Sequence, residues 1–216
     1  MPIYPKHKTI FAHIPKTGGS TVTTLLKNDW IFSYKKTLID PRGERASTIS
    51  QMKKIVEQDS DDYFSFVFVR NPWDRFVSAY HYVLQRRPEI SEVACHKDFN
   101  SFVSAFSEHQ DQMLGIRYFR PQWNYVCNEN GENCADFIGR FEQFEEDLKF
   151  VVGKLGVKRK VIRNRKRSKR KDYRFYYDDF SYEVVRRAYS RDISNLGYSF
   201  DDGQVRNKSS SVSWLR

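Results

Sequence analysis

Two stretches of this 216-residue chain carry the residue types needed to grip an anion. The first is Pro15-Lys16-Thr17-Gly18-Gly19-Ser20-Thr21. Gly18 and Gly19 admit backbone angles that other residues resist, and Ser20 or Thr21 suits the cap of a following helix. Such a turn aims several backbone N–H groups, a helix start and the Lys16 ammonium at one point, where phosphate or sulfate is the natural occupant. The second stretch is Arg70-Asn71-Pro72-Trp73-Asp74-Arg75-Phe76-Val77-Ser78. Asn71 is a good N-cap, Pro72 fits the first helical position, and Asp74 favours the first turn. Arg70 precedes this helix and Ser78 lies two turns into it, so both can converge on one anion. An arginine at a strand end can equally cap a neighbouring helix or pair with a carboxylate. The nucleotide-triphosphate loop does not fit, because its lysine follows the last glycine. Here Lys16 precedes both glycines and no Gly-Lys-Ser/Thr occurs anywhere, which demotes a nucleotide kinase.

The elements that must position these groups are legible in the apolar pattern. Thr9 to Ile14 is apolar and partly β-branched, the character of a strand buried on both faces, and Pro15 stops it. Val22, Leu25 and Leu26 mark the helix after the glycine turn. Ile31 to Tyr34 reads as a short strand, and 48–56 as a helix with Ile49, Met52 and Val56 on one face. Tyr63 to Val69 is a second and stronger buried strand. In the helix it feeds, Phe76, Tyr80 and Leu84 point inward. Further along, Asp98 caps a helix carrying Phe102, Val103 and Phe106. Phe137 to Phe141 is a short strand, followed by a helix over Phe144, Leu148, Val151, Val152 and Leu155 that Gly156 ends. Val185, Tyr189 and Ile193 stripe a last helix closed near Gly197. Two strand–turn–helix units therefore place anion-binding groups at strand carboxyl ends, where open α/β sheets bind ligands. They suit a ligand with two separated anionic groups. The expected fold is α/β, a P-loop-like three-layer arrangement with a central, mainly parallel sheet flanked by helices. A single domain over 1–204 and a loose tail over 205–216 are expected.

Composition narrows the class. Aromatic content of 16% argues against a disordered chain despite 30% charged residues. No apolar run is long enough for a membrane span, and the N-terminus lacks the apolar core of a secretion signal. The chain as given is expected to be cytoplasmic, the alternative being a trimmed Golgi-type catalytic domain. The net charge of +10 is concentrated in Lys158 to Lys171, which holds ten basic and no acidic residues. That run is either a solvated face or a contact for a polyanion or a nucleotide's phosphates. Cys127 and Cys134 are spaced to close a small loop, but reduced thiols are the better expectation without a secretion signal.

The order Pro15-Lys16-Thr17-Gly18-Gly19-Ser20-Thr21 resembles the 5′-phosphosulfate loop of sulfotransferases, enzymes that use 3′-phosphoadenosine 5′-phosphosulfate (PAPS). Arg70-x-Pro72-x-x-Arg75-x-x-Ser78-x-Tyr80 resembles their 3′-phosphate motif. The rest is similar to the carbohydrate branch, which includes heparan sulfate 2-O- and chondroitin sulfotransferases and small bacterial relatives. That similarity is carried by Pro121-Gln122-Trp123-Asn124-Tyr125, Asp136 to Glu142, Tyr173 to Tyr177 and Asp192 to Tyr198, and it covers roughly residues 9 to 200. It implies that Lys16 stabilises the leaving oxygen and that the amides of Thr17, Gly18, Gly19, Ser20 and Thr21 hold the 5′-phosphate. It further implies that Arg70 and Ser78 hold the 3′-phosphate, that Arg75 is structural, and that no metal is required. Family members often carry a histidine between the two motifs as general base. Here Arg45 occupies that place, and a guanidinium stays protonated. Glu44 is the nearest carboxylate and the candidate base, with His13 and His81 as alternatives.

The implied acceptor is a hydroxyl of a saccharide, an acidic one being the form the basic run would favour, with no membrane span and no nucleic acid as partner. The competing class is a non-catalytic module that binds nucleic acid or another polyanion through 158–171, with aromatic side chains stacking on bases. That reading leaves both phosphate motifs unexplained.

Overall fold

The computed structural model describes residues 3–26, 48–56, 61–96, 98–157 and 170–202. Four strands form one sheet in the order β1-β2-β3-β4: Ile3–Tyr4, Thr9–Ala12, Phe64–Val69 and Phe137–Arg140. β1 runs antiparallel to β2, while β2, β3 and β4 are parallel. The register sets Ala12 opposite Val67, and Val69 opposite Arg140. β2 and β3 are buried on both faces, so their successive side chains fill opposite layers. Ile10, Ala12, Val67 and Val69 point to one face, against α2 (Ile49–Val56), α7 (Trp123–Val126) and α10 (Ser190–Leu196). Phe11, Phe66 and Phe68 point to the other, against α1 (Gly19–Leu25) and α8 (Phe144–Lys154). This is the α/β architecture, three layers around a mainly parallel sheet.

A third apolar cluster gathers the helices beside the sheet: α3 (Pro72–Arg86), α5 (Phe99–Glu108), α6 (Gln110–Gly115) and α9 (Asp179–Ala188). Phe76 is its hub, with the rings of Phe99, Phe102, Phe106, Phe119 and Tyr189 at 5.0–6.0 Å. The remaining short helix, α4, spans Ser91–Ala94. Among the described residues no helix is long and apolar enough to cross a membrane.

Three expectations change in detail. The strand expected over Thr9 to Ile14 ends at Ala12, because the Ile14 N–H already turns back to the Ala12 carbonyl at 3.2 Å. α1 is not capped by Ser20 or Thr21: Gly18, at φ +86°, is the cap, and both hydroxyl residues fall inside the first turn. The stripe Val185–Tyr189–Ile193 lies on two helices rather than one, with the break at Tyr189. There the Tyr189 hydroxyl donates to the Phe119 carbonyl at 2.6 Å while Asp192 turns towards the sheet side. Asn71, Asp98 and Gly156 act as read, Asn71 and Asp98 as side-chain caps and Gly156 at φ +63° after α8. Cys95, Cys127 and Cys134 are free thiols, and Cys134 Sγ donates to the Val126 carbonyl. The expected strand at Ile31 to Tyr34, Glu44 and Arg45, the run 158–169 and the tail 205–216 lie outside the described residues.

Candidate active site

Parallel pairing of β2 with β3 brings the turns that follow them side by side. In the first turn, Lys16 takes φ +73° and Gly18 φ +86°, curling the chain tightly into α1. Thr17 is fully buried, and its hydroxyl donates inward to the Ile14 carbonyl at 2.9 Å. Gly18 is required by its angle and by packing, Gly19 by packing alone. A Cβ on Gly19 would lie 2.2 Å from the His13 ring, and one on Gly18 would lie 2.6 Å from Phe144. The Thr21 amide is already given to the Gly18 carbonyl at 2.9 Å. Among the described residues the amides of Thr17, Gly18, Gly19 and Ser20 make no backbone hydrogen bond, which leaves four donors on one curl for an anion.

Arg70 joins the two turns. It sits at the carboxyl end of β3, and its Nη1 donates to the Lys16 carbonyl at 3.0 Å. Its Nε donates to Asp74 Oδ2 at 2.7 Å, one helical turn ahead, and the guanidinium lies 4.1 Å from the Phe141 ring centroid. Asp74 is shared: its other oxygen pairs with Arg170, the last part of the basic run that is described. Two guanidiniums thus flank one carboxylate, and Arg70 Nη2 makes no hydrogen bond among the described residues. Burial pulls the Arg70 guanidinium below its ordinary pKa, with Asp74 opposing and Arg170 reinforcing that fall. An added anion here would relieve uncompensated positive charge.

A buried polar frame holds this corner. Gln122 accepts the Arg70 amide at 2.9 Å and donates to the Arg70 carbonyl at 2.7 Å, bracketing the residue's backbone. The amides of Gln122 and Trp123 donate in turn to the two oxygens of Asp192, both at 2.8 Å. Burial pushes the Asp192 carboxyl up, and Arg75 pulls it back. Glu142, after β4, accepts the Asn71 amide at 2.7 Å and the Tyr198 hydroxyl at 3.0 Å. Burial raises its carboxyl as well. The Asn71 side chain caps α3 by accepting from Trp73 and Asp74 and donates to the Ser199 carbonyl at 2.7 Å.

The other candidates separate into roles. Ser78 is 8% exposed on α3, and Tyr82, one turn further, lies under the Lys16 ammonium at 4.1 Å from its ring centroid. Arg75 is 1% exposed and donates to the carbonyls of Tyr118 and Arg120 at 3.2 and 2.8 Å, a structural bracket. His13 packs on Phe11 and over Gly19, and burial, with Arg117 adding to it, brings its pKa down to about 4. The His81 ring meets Tyr80 and Tyr176, and its Nε2 is buried without a hydrogen-bond partner among the described residues. Among the described residues, no three His, Cys, Asp or Glu side chains gather as a metal site.

Gln122, Asp192, Glu142 and Asp74 were not read from sequence as site residues. Asp74 carried a usable signal, its four-residue offset from Arg70. Gln122, Glu142 and Asp192 each stood in a segment of family resemblance, but Asp192 lies 70 residues from Gln122 and nothing local joins the two.

These features define an open α/β protein in which the turns after β2 and β3 meet at the carboxyl ends of adjacent parallel strands. The profile of the sulfotransferase family matches residues 1–199, and the chain belongs to that family. It is similar to an uncharacterized protein of Archaeoglobus fulgidus, 32% identical over 100 residues, which is 45% of this chain and 71% of that protein. It is also similar to carbohydrate sulfotransferase 10 of Gallus gallus, 21% identical over 252 residues, covering 91% of this chain. The chain spans 66% of the length of that chicken protein. No solved structure matches the chain.

Proposed function

We propose that this chain transfers a sulfuryl group from PAPS to a hydroxyl of a saccharide acceptor, working as a single domain over 1–204. The observation that carries the reading is the hydrogen bond from Arg70 Nη1 to the Lys16 carbonyl, which ties the two anion-gripping turns into one corner. The chemistry supplied by the donor is an in-line exchange: the acceptor oxygen bonds to sulfur as the bond from sulfur to the 5′-phosphate oxygen breaks. The electron pair stays on that phosphate oxygen, and the hydroxyl proton goes to a base. Lys16 places positive charge where the leaving oxygen becomes negative. The open amides of Thr17, Gly18, Gly19 and Ser20, with the Thr21 hydroxyl, suit the 5′-phosphate. Arg70 and Ser78 suit the 3′-phosphate. Glu44 takes the base role in this reading, since a His13 whose pKa lies at about 4 is a weak proton acceptor. The carbohydrate acceptor is supported by the likeness to a carbohydrate sulfotransferase.

Calorimetry with the desulfated product, 3′,5′-adenosine bisphosphate, tests the donor. We expect micromolar binding, weakened about 10- to 100-fold by Ser78→Ala, since a hydrogen bond to a charged group is worth about 1.5–3 kcal/mol. Arg70→Ala should weaken it further, because that change also unties the Lys16 turn. No binding at millimolar ligand by a folded wild-type protein would end the donor assignment.

A further inference from the structure

A lysine stem is long and flexible, so an ammonium that must meet one developing charge has to be held. The backbone of Lys16 is fixed by its left-handed angle and by Arg70, yet neither sets where the ammonium points. The ammonium lies 4.1 Å from the centroid of the Tyr82 ring. That ring is itself backed: Tyr118 packs against it at 5.2 Å, and Arg87 Nε donates to the Tyr118 hydroxyl at 3.1 Å. Tyr82 follows Ser78 by four residues on α3, so the helix that bears one donor-binding candidate also bears the shelf under another.

An aromatic face holds a cation differently from a carboxylate. It orients the ammonium through the ring quadrupole but leaves its full charge in place and competes weakly for its N–H donors. A carboxylate at the same place would cancel the charge needed at the leaving oxygen. We propose that Tyr82, braced by Tyr118, is a positioning residue that sets the Lys16 ammonium for sulfuryl transfer. This inference rests on the reading of Lys16 as the cation at the leaving oxygen.

The ring, not its hydroxyl, carries the effect, so three variants separate the causes. Turnover is read as 3′,5′-adenosine bisphosphate released from PAPS, with chondroitin or water as acceptor. Tyr82→Phe should keep kcat, and Tyr82→Leu should lower it about tenfold, with the affinity for 3′,5′-adenosine bisphosphate unchanged. Tyr82→Glu should fall below Tyr82→Leu, because it holds the ammonium while neutralising it. A second readout follows the contact itself. After reductive ¹³C-methylation, which keeps the charge, the Lys16 methyl signal (identified by its absence in Lys16→Arg) should be ring-shielded in wild type and Tyr82→Phe. It should lose that shielding in Tyr82→Leu. Unchanged kcat in a folded Tyr82→Leu that binds the bisphosphate normally, or an unshielded Lys16 signal, overturns the inference alone. Absence of bisphosphate binding by the wild type removes the donor reading and this inference together.

Discussion

His13 shows how a single side chain can shape the turn at Gly18-Gly19 through packing alone. Its ring fills the space a Cβ on Gly19 would need, and burial holds it neutral down to about pH 4, against 6.5 for an ordinary imidazole. Between those values the unfolded chain takes up a proton that the native state refuses. The stability this ring contributes is therefore complete above pH 6.5 and is lost as pH falls through the window, by on the order of 3 kcal/mol. Glu142 and Asp192, raised by burial, titrate in the opposite sense, so a difference measurement is needed. Urea unfolding of wild type and His13→Asn between pH 7 and 4 should show a steeper decline for the wild type. Parallel curves would show that the His13 ring does not resist protonation. The Gly18-Gly19 pair and its lysine were legible at this scale. The partner that makes Gly19 obligatory was less so, since an inward-facing histidine in a strand reads the same whether it packs on a turn or takes a proton.

The turn from β3 into α3 is where the elements are locked. Asn71 caps the helix with its side-chain oxygen, spends its side-chain nitrogen on Ser199 and gives its amide to Glu142. Asn71→Ala should cost about 1–2 kcal/mol from the cap alone. Urea denaturation measures it, and a change below a few tenths would show that water replaces the side chain at no cost. The cap, the strand before it and the apolar face of α3 could all be read because they are local: Asn-Pro, a run of β-branched and aromatic residues, and four-residue spacing. The break at Tyr189 could not. Its stripe is continuous in sequence, and only the simultaneous burial of Tyr189 in the helical layer and Asp192 beneath Gln122 divides it. The Gly18 cap escaped for a related reason: Ser20 and Thr21 are better caps by type, but the tight curl at Lys16 starts the helix before them.

At the scale of the whole molecule the charge excess and the site meet at one residue. Within the run Lys158 to Lys171, positions 158–169 contribute eight basic residues, and the next, Arg170, reaches Asp74 beside Arg70. Replacing those eight with glutamine should flatten the salt dependence of binding to heparin while leaving 3′,5′-adenosine bisphosphate affinity within about threefold. Loss of both together would make the run part of the donor site. Loss of heparin binding in a chain that never bound the bisphosphate would favour the polyanion module instead. Three-layer architecture was readable from two near-continuous apolar strands that need cover on both faces. The frame under Arg70 was not, because it is written in pairs 52 to 71 residues apart.

The ties to Ser199 have a practical side. Asn71 holds the Ser199 carbonyl, the preceding Tyr198 reaches Glu142, and the carbonyl of Phe200 accepts from Tyr173 while its ring meets Trp73 edge-on. Shortening the chain at Gly197, the natural end of α10, would look harmless on a helix map. It would instead unclasp the start of α3 from behind, so any trimmed version meant for crystallisation or for grafting has to keep residues 198 to 200.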